Sequence, residues 1–321
     1  MENYTPANPQ LWSGRPSEDQ QYVHEKVVAV NLREAATSPS KKSFSILGYA
    51  CDEGVARNRG RVGAYHGPDH IKKALGPMPN HLPQKYQLFD MGSVVCIGDD
   101  LEGAQKSLTE TVRVILSQKS FPIVLGGGHD IAYGHFKGIR NHFGPDKKIG
   151  IINFDAHFDL RDNGGIPTSG TPFHQIATEA QTNGEAFHYL CLGIRQDANP
   201  KVLFETAQHT GSKFILQSEF TLYNLKKVNK KLQKFLDEVD LVYVTLDLDG
   251  FASAYAPGVS APSPFGFSPD IVLECLNTII ASKKLTALDI AEYNPTYDID
   301  GITAKLAAGL LHHSIHRLSG K

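Results

Sequence analysis

The chain has 321 residues, 41% of them apolar, and a formal charge of −2. That is enough apolar material for one large α/β domain or two small ones, and it excludes a disordered chain. A near-neutral charge without a dominant basic patch argues against nucleic acid or an anionic membrane surface as a partner.

Residues 1–20 contain three prolines and few large apolar side chains and read as a loosely held stretch. It leads an N-terminal arm over 1–35, expected to pack on or near a single domain over 36–321. The start, MENYTPANPQ, lacks the basic residues and apolar run of a signal peptide. From residue 44 onward, apolar and β-branched runs predict strands at 44–50, 86–91, 122–125, 148–154, 189–194, 213–216, 241–248 and 285–291. The polar stretch 53–68, which carries Arg57, Arg59 and Arg61, reads as a loop. Over 101–118, Leu108, Val112 and Ile115 share one helical face while Glu102, Lys106 and Glu110 take the other. Leu273, Leu276 and Ile280 repeat that spacing. Strands alternating with helices predict βαβ units, hence an α/β fold with a mostly parallel sheet covered by helices on both faces. The strands are nearly continuous apolar runs, as burial on both faces requires. The stretch 157–172, rich in Gly, Pro and Thr, reads as a long functional loop. No apolar run approaches the ~20 residues of a membrane helix. Cys51, Cys96, Cys191 and Cys275 are widely spaced, form no C-x-x-C pair and read as reduced core thiols of a cytoplasmic protein.

Four polar clusters each follow a predicted strand. They are Gly128-His129-Asp130, Asp155-Ala156-His157-Phe158-Asp159, Asp247-Leu248-Asp249, and Glu292. Parallel α/β sheets bind ligands outside the carboxyl ends of their strands, so clusters far apart in sequence are expected to converge. Residues two apart in an extended chain point the same way. Asp155, His157 and Asp159 can therefore face one point, and so can Asp247 and Asp249. Carboxylate oxygens with imidazoles suit Mn²⁺-type cations, and the lack of cysteine argues against a structural zinc site. Four aspartates balance two divalent ions in charge, and a water between such ions loses a proton readily. The residues thus point to a hydrolase that activates water with two metal ions.

GGGHD at 126–130, DAHFD at 155–159 and TLDLDGFASAYAPGVSAP at 245–262 resemble the three motifs of the arginase (ureohydrolase) superfamily. The resemblance covers residues 44–318. It implies one three-layer α/β/α domain and two Mn²⁺ ions per subunit. It also implies His129 and Asp159 on one ion, His157 and Asp249 on the other, and Asp155 and Asp247 bridging. The family often has Asp-Pro after the D-x-D-G run, where this chain reads Ala252-Ser253. No ligand is lost, so that departure bears on loop shape. The resemblance further implies His174 as a proton shuttle and Glu292 as the carboxylate that holds a cationic amidine or guanidine. His312, His313 and His316 fit a solvated helix face better than a second metal site.

Within the superfamily, DAHFDLR, SGTPF, LWSGR at 11–15 and GVARNRGRVG at 54–63 resemble the formimidoylglutamases of histidine degradation. This implies hydrolysis of N-formimidoyl-L-glutamate to L-glutamate and formamide. Such a substrate carries two carboxylates and no free α-ammonium. Arginases hold that ammonium with an aspartate whose counterpart here is the neutral Asn199. Arg161 stands where arginases carry asparagine and is expected to fork onto a carboxylate, with Ser169 and Asn199 orienting the substrate through neutral hydrogen bonds. Guanidinobutyrase or another guanidino-acid hydrolase, agmatinase, and a non-catalytic metal-binding protein on the same scaffold are the alternatives. A two-metal phosphatase fits less well, because Glu292 would repel phosphate and no phosphate-cradling glycine loop precedes a Lys-Ser/Thr pair. The partner is then a small amidine bearing carboxylates, with homo-oligomerisation open.

Overall fold

The apolar runs become strands and the 3.6-residue patterns become helices. The computed structural model describes residues 3–33 and 42–320. Its strands are β1 (Tyr4–Thr5), β2 (Val27–Ala29), β3 (Lys42–Ala50), β4 (Tyr86–Val95), β5 (Ser120–Leu125), β6 (Ile149–Phe154), β7 (His188–Ile194), β8 (Lys213–Leu216), β9 (Leu241–Asp247) and β10 (Leu285–Ala291). They form one sheet in the order β1-β4-β3-β5-β10-β9-β6-β7-β8, with β2 also paired to β4. Pairing is parallel except at β1, which runs antiparallel to β4. The helices are α1 (Val23–Lys26), α2 (Glu53–Arg57), α3 (Gly67–Leu75), α4 (Leu101–Ser117), α5 (Ile131–Phe143), α6 (Pro172–Thr182), α7 (Lys201–His209), α8 (Leu225–Asp237), α9 (Pro269–Ala281) and α10 (Ile302–Leu318).

Successive strand residues enter opposite cores. Ile46, Ile152 and Val244 pack with apolar residues of α3, α8, α9 and α10. Leu47, Ile151 and Tyr243 pack with those of α4, α5, α6 and α7. Both faces of the sheet are thus covered, giving three layers. A parallel sheet sandwiched this way needs side chains on both faces to be apolar, which is why the strands read as unbroken runs.

All eight expected strands are present, and the sheet gains two more from the N-terminal arm. The arm is not loosely held. Thr5 pairs with Ser93 and Val27 with Leu88. Trp12 Nε1 donates to Asp90 Oδ2 at 2.8 Å, while Asp90 Oδ1 accepts from Lys72 Nζ at 2.7 Å and from the Gly92 amide at 3.0 Å. Strands of two and three residues are too short to show a period, so composition alone could not reveal them. The expected boundary between residues 35 and 36 lies outside the described residues. The stretch 53–68 is not wholly a loop, since it holds α2 and a 3-10 turn, Ala64–His66, that leads into α3. Nor do the α10 histidines form a solvated face. His316 is buried and its Nε2 accepts from the His81 amide at 3.0 Å, while His312 Nε2 donates to Pro79 O and His313 Nε2 meets Asn277 Oδ1.

Four neighbouring strands, β5, β10, β9 and β6, carry the four polar clusters at their carboxyl ends. The register pairs Ile290 with Leu125, Ala291 with Asp247, and Phe154 with Leu246. Sheet order, more than chain order, therefore creates the site.

The Lys72–Asp90 pair is almost fully sealed from water, with side chains 1% and 0% exposed. Removing one member of such a pair leaves a buried, uncompensated charge. Lys72→Met should therefore cost about 3–5 kcal/mol in urea unfolding, and adding Asp90→Asn should recover much of it. A shift in Lys72→Met below about 1 kcal/mol would mean the pair does not anchor the arm.

Candidate metal centre

The site begins with a turn that only glycine fits. After β5, Gly126 and Gly127 adopt φ of 83° and 75°. A Cβ on Gly126 would lie 2.4 Å from Pro68 Cδ, and one on Gly127 would lie 2.6 Å from Tyr49 Cδ1. Left-handed backbone and crowding both exclude larger residues. The turn directs the His129 amide to Glu292 Oε1 at 2.8 Å, and the Gly128 amide to Cys51 O at 3.0 Å. Asp159 and Glu292 themselves adopt positive φ, 47° and 65°. For non-glycine residues this is sparsely populated backbone, of the kind that gathers at functional sites.

Two groups of side chains result. His129, Asp155, Asp159 and Asp247 offer ligand atoms within 4.8 Å of one another, and so do Asp155, His157 and Asp249. Asp155 belongs to both groups and Asp247 to the first alone. His129 Nδ1 lies 3.2 Å from Asp155 Oδ2, 2.9 Å from Asp159 Oδ2 and 2.9 Å from Asp247 Oδ2. None of these contacts is aligned as a hydrogen bond, and His129 Nδ1 is a buried polar atom without a partner. Asp249 Oδ1, 3.3 Å from His157 Nδ1, is another. Buried polar atoms are nearly always satisfied, so orphans aimed at a cluster of carboxylates are what a cation site requires. The donor set, nitrogen and oxygen without sulfur, fits manganese. The first group is sealed, whereas the His157 side chain is 22% exposed, so the centre opens on that side.

Further hydrogen bonds fix these groups. Thr245 Oγ1 lies 3.0 Å from His129 Nε2, which leaves Nδ1 facing the carboxylates. Asn153 Nδ2 donates to Asp155 Oδ2 at 2.9 Å, and the same nitrogen donates to the Tyr189 hydroxyl. The His157 amide donates to Asp155 Oδ1 at 2.7 Å and the Asp249 amide to Asp247 Oδ1 at 2.8 Å. Asn153 and Tyr189 lie outside the motifs, and Thr245, though it opens the motif at 245–262, was not singled out there, because its contact to His129 spans two strands.

The electrostatics show crowding. Burial, and then the charge of Asp249, push the Asp247 carboxyl well above its usual range. Burial pushes Asp249 up to about 6, against the pull of His157. Burial opposes charge on His129 and His157, yet the surrounding carboxylates together outweigh it, Asp247 with Asp155 and Asp159 for His129 and Asp249 with Asp155 for His157, and hold both imidazoles well above their ordinary value. Asp155 goes the other way. Burial works against it, but the adjacent His129 and His157 imidazoles keep its carboxyl low. Burial, and then Asp247, raise Glu292.

The other expected site residues part company. Asn199 is buried and already engaged. Its Nδ2 donates to Ala156 O and Arg195 O, both at 2.8 Å, and its Oδ1 accepts from the Phe158 amide at 3.0 Å. With both N–H bonds so used, Asn199 holds the 155–159 loop in place, and the expected substrate contact finds no free donor there. Ser169 is buried beside that loop, its amide bonded to Gly54 O. Arg161 is exposed and lines a cavity with Arg59. His174 is not brought to the two groups. It sits in the first turn of α6 and lines a cavity with Asp162, Gln181, Glu205 and His209. The preceding residue, Phe173, is the one that packs edge-on against His129, at 5.3 Å between ring centroids. One residue along a helix rotates the side chain by about 100°, and sequence spacing did not resolve which neighbour faces inward.

Comparison with known proteins agrees with this geometry. The arginase family pattern matches residues 42–316. The formimidoylglutamase of Geobacillus sp. (strain WCH70) is 41% identical over 309 residues, covering 95% of this chain and 94% of that one. The crystal structure of formimidoylglutamase from Bacillus subtilis superposes with a TM-score of 0.83 at 24% identity, covering 96% of this chain and 94% of that one. Trypanosoma cruzi formiminoglutamase with Mn²⁺ superposes with a TM-score of 0.77 at 23% identity, covering 90% and 97%. At those identities the two structures attest the shared fold.

Two outcomes test the centre. Because Asp155 belongs to both groups, Asp155→Ala should lose both ions, whereas His157→Ala should weaken one, as read by metal content after gel filtration. Without a cation the raised groups hold extra protons, which a metal must displace. Mn²⁺ affinity should therefore fall as pH falls, with net proton release in calorimetry near about pH 7. A pH-independent affinity without proton release would overturn the assignment.

Proposed function

The chain belongs to the arginase family, and we propose that its reaction within that family is the hydrolysis of N-formimidoyl-L-glutamate to L-glutamate and formamide. The observation that carries this reading is the 41% identity to a formimidoylglutamase, spread over 95% of the chain. The enzyme is a hydrolase of linear amidine C–N bonds. Manganese is the proposed metal, supported by the N/O donor set and by the Mn²⁺ in the structurally similar Trypanosoma cruzi protein.

His129, Asp155, Asp159 and Asp247 would hold one ion, and Asp155, His157 and Asp249 the other. Such ions supply hydroxide near neutral pH and stabilise charge that develops on the reacting amidine. The chain's own residues do the rest. Glu292 has one oxygen, Oε1, fixed by the His129 amide, and the other remains to accept from the formamidinium. That contact orients the amidine carbon toward the more open, His157 side of the centre. Thr245 and Asn153 keep the ligands from rotating. Phe173, itself buried, packs edge-on against His129 and excludes water from that ring. Arg161 reaches into the adjoining cavity, where it can fork onto a substrate carboxylate. We place the enzyme in the cytoplasm, in keeping with its four free, buried cysteines. No described helix is long and apolar enough to cross a membrane.

With Mn²⁺ supplied, formimidoylglutamate should be turned over far better than arginine, agmatine or 4-guanidinobutanoate. Preference for a guanidino acid would overturn the assignment. Chelation should abolish the activity and Mn²⁺ restore it. Glu292→Gln should impair both binding and turnover while metal content is retained. His174→Asn should leave kcat within about threefold, because it belongs to neither group and lines another cavity; a fall of about 100-fold would return to it the proton-shuttle role.

A further inference from the structure

Five arginines stand near the loops that flank the centre, and three of them are engaged, Arg195 by a fork onto Asp197 at 3.0 and 2.6 Å. Arg57 donates to Glu53 Oε1 at 2.9 Å, to both Glu102 oxygens at 2.8 and 3.1 Å, and to Asp99 O at 2.7 Å. Arg61 donates to Ser260 O at 2.9 Å and Val259 O at 2.6 Å, and its guanidinium stacks 3.8 Å over the Tyr297 ring. Arg59 and Arg161 differ. Among the described residues neither guanidinium has an acidic, carbonyl or aromatic partner, and both line one cavity of about 420 Å³ with Asn58, Asn163 and Thr168. The acidic group in that lining, Asp162, gives Oδ1 to the Gly164 amide at 3.0 Å.

The cavity abuts the metal-binding loop. Arg161 follows Asp159 by two residues, and its amide is tied to Gly170 O at 3.0 Å. Pro200, which also lines the cavity, follows Asn199, whose side chain holds the Phe158 amide. Arg59 closes α2 in the left-handed conformation, φ 60°. Lys119 and Lys283 end helices in the same way, so the strain by itself indicates nothing. What sets Arg59 apart is that it lines the same cavity as a second unpaired arginine. Two unpaired cations sharing one cavity repel each other and attract anions, and a ligand with two carboxylates relieves both.

We propose that Arg59 and Arg161 form a two-pronged clamp that selects dicarboxylate amidines. This rests on the reaction proposed above and adds what determines its specificity. In N-formimidoyl-L-glutamate the α-carboxylate lies next to the amidine-bearing carbon, and the side-chain carboxylate lies two methylenes further out. Arg161, two residues from Asp159, takes the α-carboxylate. Arg59, from the turn after α2, takes the side-chain carboxylate. A guanidino acid with one carboxylate leaves one arginine unanswered, and arginine also brings an ammonium into the same cationic cavity. The clamp thus favours the right substrate and repels the wrong ones.

A substrate-by-variant cycle tests this. The substrates are formimidoylglutamate, N-formimidoyl-L-norvaline, which lacks the side-chain carboxylate, and N-formimidoyl-4-aminobutanoate, which lacks the α-carboxylate. Arg59→Ala should cut kcat/KM for formimidoylglutamate by roughly 30- to 100-fold, mostly through KM, yet cost little further on the norvaline derivative. Arg161→Ala should show the same non-additivity with the aminobutanoate derivative. Lysine at either position should recover only part. Metal content and thermal midpoint of the variants should match the wild type, since both side chains are exposed. Losses that are equal on all three substrates, or absent, overturn the clamp while leaving the reaction in place. A wild-type enzyme that does not hydrolyse formimidoylglutamate overturns the reaction, and the clamp with it.

Discussion

Four aspartates and a buried glutamate share a few ångströms of low-dielectric interior at the carboxyl edge of the sheet. Carboxylates so placed repel one another, and burial makes each one harder to ionise. Only bound cations, or protons taken up in their stead, can balance them. The raised carboxyls of Asp247 and Asp249 and the charged state favoured for His129 and His157 are two sides of this one constraint. A cation reverses it, turning mutual repulsion into shared coordination.

The surrounding fold is organised to withstand that repulsion. β5, β10, β9 and β6 lie side by side, so the crowded groups rest on continuous backbone pairing. The turn at Gly126 and Gly127 gives the His129 amide to Glu292, which ties β5 to β10 above the centre. Asn199 joins the 155–159 loop to the segment after β7 through two hydrogen bonds and braces its own segment with a third. Asp159 and Glu292 keep strained backbone because neighbouring pairs leave them no alternative. Such rigidity serves catalysis, since ligands that do not relax keep their geometry as charge develops.

Around this anionic core the mouth carries the opposite sign, and its arginines divide into two kinds. Arg57 and Arg61 bind the loop to α4 and to the 259–260 segment, and so hold the 53–68 stretch in shape. Arg59 and Arg161 remain available to a ligand. A dicarboxylate amidine matches both fields at once, with its cation toward Glu292 and its anions toward the rim. At the other edge of the sheet, Trp12 and the Lys72–Asp90 pair bind the arm to the sheet.

The sequence by itself determined the layers, the strands and the six candidate ligands. Burial on both faces forces unbroken apolar strands, and polar clusters mark their carboxyl ends, although 155–159 bends after β6, with Asp159 at φ 47°, and does not alternate as an extended chain. These are local, periodic properties that a linear chain records. Tertiary structure alone decided the rest. The two- and three-residue strands of the arm exist only because β4 offers an edge. Phe173, and not His174, faces His129, a difference of one step around a helix that spacing does not resolve. Asn199 reads as a substrate contact until its backbone partners are seen. The engaged and free arginines look alike in sequence, because Glu102 and Ser260, which separate them, lie far along the chain. Each such decision depends on contacts between segments, and those contacts come into being only when the sheet assembles.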